Sequence, residues 1–249
     1  MSEPVGELLV ADLGTLPYAA ALELQRDVAC RRISGEIDQD VLLLVEHPPV
    51  VTLGRTAKAA NLIASPEFLA SQGVELFEVE RGGDITFHGP GQLVGYPIFD
   101  LKRHRKDLHW YLRQVEQALI EALAEFGLRG ARVERYTGVW VDSGNNGPRK
   151  IASIGVHARD WVTWHGFALN VTTDLRYFDL IVPCGIVDVA MTSVARELAL
   201  GSLEMSAAAS AVTSAFGATF SLTPREVSAG DLVTPAVAAD AGGVVSPPN

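Results

Sequence analysis

Two rhythms of apolar positions run along this chain, one with the repeat of a helix and one of short, nearly continuous runs that suit strands. The clearest helical pattern spans 107–126, with apolar residues at Leu108, Leu112, Val115, Leu119, Leu123 and Phe126 and with Gly127 as its stop. A second helix is expected over 18–33 behind Pro17. A short third one follows Ser65-Pro66-Glu67, where a serine cap, an early proline and an acid suit the positive end of a helix. Two more are expected over 194–200 and 203–216. Strand-like runs lie at 8–12, at 41–47 before Pro48 and Pro49, around Val139, and at 151–157 and 167–171. The order of these elements lacks the regular βα beat of a doubly wound sheet, and no repeat is visible, so an α+β domain is predicted. The stretch from Ser228 has no aromatic residue and no lasting period. Residues 1–227 are therefore expected to form one domain, with 228–249 a mobile tail.

Composition narrows the function classes. The chain has 249 residues, 48% of them hydrophobic, enough to build a sizeable core. No apolar stretch approaches the ~18 residues of a membrane span, and the acidic start MSEPVGE does not read as a signal peptide. Two cysteines make no disulfide framework, so a soluble protein of a reducing, cytoplasmic compartment is expected. A net charge of −10 argues against nucleic acid. The charge is uneven, however: residues 102–150 hold ten Lys and Arg against six Asp and Glu, with the densest run at KRHRK, Lys102 to Lys106. That run is either a solvated loop or a face for an acidic protein partner.

Candidate chemistry concentrates in three places. RGGDITFHGPGQ, from Arg81 to Gln92, holds four glycines and a proline between strand-like flanks. Such a loop lets backbone N–H groups approach a ligand, and it matches neither a dinucleotide fingerprint nor a phosphate loop. Lys150 opens an apolar strand, KIASIGVH, an unusual setting for a lysine, although its amine could simply reach water along its stem. Cys184 lies in the turn of VPCGI, where it is either a small buried hydrophobe or a nucleophile. A thiolate beside an ammonium, with backbone donors nearby, has the parts for acyl transfer through a thioester. Cys30, at helical spacing, reads as a buried core residue. His47, His88, His157, His165 and Cys184 lack the spacing of a metal site, and none is expected.

Five motifs in this order, RGGDITFHGPGQ, YTGVW, KIASIGVH, WHGFALNV and VPCGI, resemble those of the octanoyltransferases of lipoate biosynthesis, over roughly residues 40–196. The resemblance implies the architecture of biotin and lipoate protein ligases, a mixed, largely antiparallel sheet with packed helices. It implies that Cys184 accepts an octanoyl group from octanoyl-acyl carrier protein and that Lys150 favours its thiolate. It assigns the acyl pocket to Arg81, Gly82, Gly83, Asp84, Ile85, Thr86, Phe87 and His88, to Ser153, Ile154 and Gly155, and to Gly166, Phe167 and Ala168. The acceptors it implies are lipoyl domains of 2-oxoacid dehydrogenase complexes and the glycine cleavage H protein, with no cofactor and no ATP. An apolar channel for the chain would draw about 5 kcal/mol from six methylenes at ~0.8 kcal/mol each, so its depth would gauge length. Two other readings are a ligase of the same architecture and a non-catalytic module that holds an acylated carrier.

Overall fold

VLLLVEH, the run expected to be a buried strand, is buried at every residue but Glu46. The computed structural model describes residues 6–142, 147–186, 189–200 and 203–233. In chain order the strands are β1 (Gly6–Thr15), β2 (Asp40–Glu46), β3 (Val50–Leu53), β4 (Glu75–Glu78), β5 (Ile85–His88), β6 (Gln92–Ile98), β7 (Gly130–Ala131), β8 (Val139–Asp142), β9 (Pro148–Arg159), β10 (Val162–Asn170) and β11 (Leu222–Glu226). Eight of them form one sheet in the order β11-β1-β2-β6-β10-β9-β8-β7. Within this sheet only β1 pairs in parallel, with β11 and β2, and the rest is antiparallel. A second sheet, β4-β3-β5, docks on the first where Gly82 N–H donates to Val156 O at 2.8 Å. The expected mixed, largely antiparallel α+β architecture is what the chain adopts.

Helices cover both faces of the large sheet. On one face α3 (Leu108–Glu125) and α5 (Met205–Phe220) bury Val115, Leu119, Val212 and Phe216 against Leu93, Phe167 and Leu169. On the other, α1 (Tyr18–Ser34) packs Ala21 and Val28 against Leu43, Val94 and Ala168. Caps follow the local chemistry. Asp107 accepts from Trp110 N–H at 3.0 Å, Ser65 Oγ accepts from Phe68 N–H at 3.2 Å to start α2 (Pro66–Ser71), and Gly127 has a φ of 76° just past α3.

Some expectations change. The helix expected over 194–200 is a single turn, α4 (Val194–Glu197), and the one expected over 203–216 runs on to Phe220. Cys30 is exposed, because it falls on the outer side of α1. The segment expected to be a tail opens with a short helix, α6 (Ala229–Val233), whose Leu232 is buried beside α1; residues 234–249 lie outside the described residues.

Candidate active site

Lys150 and Cys184 meet through two local irregularities. Along β9, Ile154 and Val156 belong to the core under α3 and α5, whereas Ser153 points to the opposite face. Strict alternation would send Lys150 into that core with Ala152. Instead Val139 pairs with Ala152 while its neighbour Trp140 pairs with Lys150, which leaves Ile151 as an extra residue on β9. This bulge inverts the alternation and turns Lys150 to the side of Ser153. Cys184, in the tight turn Pro183–Gly185, has φ 57° and ψ 18°, a left-handed conformation that costs a residue with a Cβ about 1–2 kcal/mol. The turn presents its sulfur to the lysine.

The resulting geometry is close. Lys150 Nζ lies 3.1 Å from Cys184 Sγ and donates to Thr137 O at 3.3 Å, with the Trp140 ring centroid 4.9 Å away. Ser153 Oγ is 3.8 Å from the same sulfur. Lys150 is almost wholly buried, at 1% exposure, so its ammonium is not on a path to water. Behind Cys184, Asp84 accepts from Asn61 Nδ2 at 2.6 Å and from Lys58 N–H at 3.3 Å. A Cβ on Gly185 would come within 2.6 Å of Asp84 Oδ2, so only glycine lets the cysteine turn sit this close. The amides of Gly185 and Ile186 already donate to Val182 O and Pro183 O, which removes them as donors to an oxyanion.

From this pair a cavity of about 230 Å³ runs inward between the two sheets. Its floor follows a row across the strands, Ser153 beside Ala168 beside Val94. Gly155 and Gly166 form the next row, and a Cβ on Gly155 would approach Gly82 O to 2.7 Å. The opposite wall comes from Arg81, Gly83 and β5. Because β5 alternates, Asp84, Thr86 and His88 line the cavity while Ile85 and Phe87 turn away into a separate core with Val51 and Phe178. Gly82 holds the sheets together instead of lining the space; Ile154 and Phe167 contribute to the lining although their side chains join the α3 and α5 core. The stretch read as a loop between strands is therefore two turns flanking a strand.

Several lining groups are ones that sequence reasoning did not single out. Tyr18 from α1, whose ring stacks on His88 at 6.0 Å between centroids, and Tyr96 from β6 are two of them; His165, weighed above only as a metal ligand, joins them with a left-handed φ of 55°. Only the flanking YTGVW and WHGFALNV motifs hinted at part of this. Burial pushes His88 down to about 3 and His47 behind it to about 4, so both imidazoles are neutral. His88 Nδ1 bonds Gln92 Oε1 at 2.8 Å, and His47 bridges Leu16 O and Tyr96 Oη, each at 2.7 Å. Burial likewise raises the Tyr18 hydroxyl to about 12. Thr86 Oγ1 is buried with no partner among the described residues. Arg81 is also buried; its guanidinium donates to Thr52 O at 2.7 Å and Gly82 O at 3.0 Å, with no carboxylate in ion-pair range among the described residues. Desolvation lowers its pKa, so it is a costly cation kept at the cavity wall. No described group of three or more His, Cys, Asp and Glu is placed to hold a metal.

The basic run at Lys102–Lys106 lies elsewhere. Ala152, two residues from Lys150, is in register with Leu169 and Leu93, and Asp100 lies seven residues further along, roughly 24 Å away at ~3.4 Å per residue. Its Lys and Arg side chains also meet acids of their own, Lys102 with Asp100, Arg103 with Asp38 and Arg105 with Asp107, and the His104 ring bonds Asp40.

Residues 17–217 match the family model of the lipoyl protein ligase A/B catalytic domain. The chain belongs to this family. Within the lipoyl protein ligase A/B family it is similar to the octanoyltransferase of Acidobacterium capsulatum, 55% identical over 75% of this chain and 78% of that one. It is 47% identical to that of Chloroflexus aurantiacus, over 88% of this chain and 96% of the other. The resemblance seen in the motifs is thus borne out. Among solved structures, the bipartite lipoate protein ligase of Thermoplasma acidophilum superposes with a TM-score of 0.70 at 19% identity, covering 94% of this chain and 91% of that one. Lipoate-protein ligase A bound with ATP gives 0.69 at 16% identity, covering 93% of each. At such identities these two describe the family's fold alone. Among the described residues no helix is long and apolar enough to cross a membrane.

Proposed function

We propose that this protein transfers an octanoyl group from octanoyl-acyl carrier protein to the lysine of a lipoyl domain, through a thioester on Cys184. The observation that carries the reading is the 3.1 Å contact between Lys150 Nζ and Cys184 Sγ in the lining of a cavity. The names of its octanoyltransferase relatives point to the same acyl group. In the first step the Cys184 thiolate attacks the thioester carbonyl, and the carrier thiol leaves with a proton supplied by Lys150. In the second, the acceptor amine attacks the acyl-cysteine, Cys184 leaves as thiolate, and Lys150 receives the amine proton. Each transfer passes through an oxyanion, and the two buried cations, Lys150 and Arg81, favour negative charge at this end of the cavity. A thioester going to an amide runs downhill, so no ATP is needed.

The cavity suits a medium-length chain by its chemistry as well as its size. Ala168 and Val94 offer apolar surface, and Tyr18, Tyr96 and His88 add larger rings to the same lining. A longer chain would press methylenes against the unpartnered Thr86 hydroxyl and the neutral imidazole of His88. Lipoyl domains of 2-oxoacid dehydrogenase complexes and the glycine cleavage H protein are the proposed acceptors, in the cytoplasm. The test is transfer in a mixture of octanoyl carrier protein, lipoyl domain and enzyme without ATP. The acceptor is expected to gain one octanoyl group, and Cys184→Ala to abolish the gain. Transfer that needs ATP and free octanoate, or that survives Cys184→Ala, contradicts the proposal.

A further inference from the structure

Glu116 is fully buried on α3, in a stripe of Val115, Ala118 and Leu119. Its Oε2 accepts from Arg113 at 2.6 Å and from Arg132 at 2.9 Å, two cations that remain 50% and 35% exposed. Surface arginines gain little from such pairing, and burying a carboxylate for that purpose alone costs more than it returns. The other oxygen, Oε1, faces inward and accepts from Gly138 N–H at 3.1 Å. That N–H and the carbonyl of Thr137 belong to one planar peptide, in which they point in opposite directions. The carbonyl is the one that accepts from Lys150 Nζ at 3.3 Å. Gly138 also has a φ of +134°, and a Cβ there would lie 2.9 Å from Lys150 Cε, so this peptide rests directly on the lysine stem.

We propose that Glu116 is a positioning residue for Lys150: by holding Gly138 N–H it sets the plane of the 137–138 peptide, which aims the Thr137 carbonyl at the ammonium and keeps that ammonium on Cys184. The inference rests on the reading of Lys150 and Cys184 as a reacting pair. Three variants separate positioning from bulk stability. Glu116→Leu removes the acceptor for Gly138, and its arginine partners can turn into water. Glu116→Gln keeps an acceptor oxygen but loses the charge. Arg132→Ala disturbs the outer half only.

The readouts are the rate at which iodoacetamide alkylates Cys184, kcat and KM for transfer, and Tm. Glu116→Leu is expected to slow alkylation and lower kcat by roughly 10- to 100-fold, the scale of a misplaced reacting group, with KM for the acyl donor unchanged. Glu116→Gln and Arg132→Ala should lose Tm while alkylation and kcat remain near wild type. Alkylation at the wild-type rate in Glu116→Leu, or losses in Glu116→Gln as large as in Glu116→Leu when both are folded, would overturn the proposal. If Glu116→Leu does not fold, a loss of more than about tenfold in Glu116→Gln overturns it, and wild-type-like alkylation with a lowered Tm supports it. Alkylation needs no acyl substrate, so a failure of the octanoyl reading would show as missing transfer by the wild type and leave these rates untouched.

Discussion

Lys150 reaches Cys184 because β9 carries one residue more than β8 opposite Ile151. Its ammonium is buried and shared between the sulfur and the Thr137 carbonyl, so removing it leaves Cys184 without a cation at contact distance among the described residues. Lys150→Ala is expected to slow iodoacetamide alkylation of Cys184 at neutral pH and to lower kcat by roughly 100-fold or more, the usual weight of a positioned proton donor and acceptor. Alkylation at an unchanged rate would show that the lysine has another role. At this scale much was legible in the chain. A lysine opening an apolar strand and a cysteine between proline and glycine are odd enough to mark themselves. The bulge left no mark, because Ile151 is as ordinary a strand residue as its neighbours. Glu116 was hidden for the same reason, since it takes the place of one more solvated acid in a helix.

At the scale of elements, the helices were readable because caps and stops are written in single residues such as Ser65, Asp107 and Gly127. The glycine-rich stretch was harder. Four residues, ITFH, are too short to show alternation, yet as β5 they divide into His88 and Thr86 on the cavity and Ile85 and Phe87 in a core. β11 escaped notice because Pro224 reads against a strand, but an edge position beside β1 tolerates it. Burial of two neutral imidazoles in and behind this wall has a consequence for pH. His47 and His88 have folded pKa values of about 4 and about 3, below the ~6.5 of an unfolded histidine. Between those values the unfolded chain binds more protons, so stability falls as pH drops from about 6.5 toward 4. Each histidine adds up to about 1.4 kcal/mol per pH unit to that slope. Tm measured from pH 7 to 4.5 should fall, and His88→Gln should flatten the curve; an equal slope in the variant would remove His88 as a source.

For the whole molecule, charge was the least reliable guide. A basic run on a chain of net −10 invites a docking role, but sequence shows neither that Lys102, Arg103 and Arg105 have acids folded against them nor that they lie roughly 24 Å along the sheet from the cysteine. At 0.1 M salt the Debye length is ~10 Å, so their field at the site is small. Reversing Lys102, Arg103, Arg105 and Lys106 to Glu should leave KM for carrier protein within about twofold at that salt; a large rise would place docking on that face after all. An α+β domain was foreseeable from apolar rhythm and its largely antiparallel sheet from the resemblance of the motifs, whereas the cavity was not, because it arises between two sheets whose contact depends on Gly82 and Gly155 meeting without side chains. The central claim is that Cys184 carries the acyl group. Intact-mass measurement after incubation with octanoyl carrier protein, followed by peptide mapping, tests it most directly. One octanoyl group on Cys184, absent in Cys184→Ala, is the predicted result. No covalent adduct, or an adduct on Cys30, would contradict it.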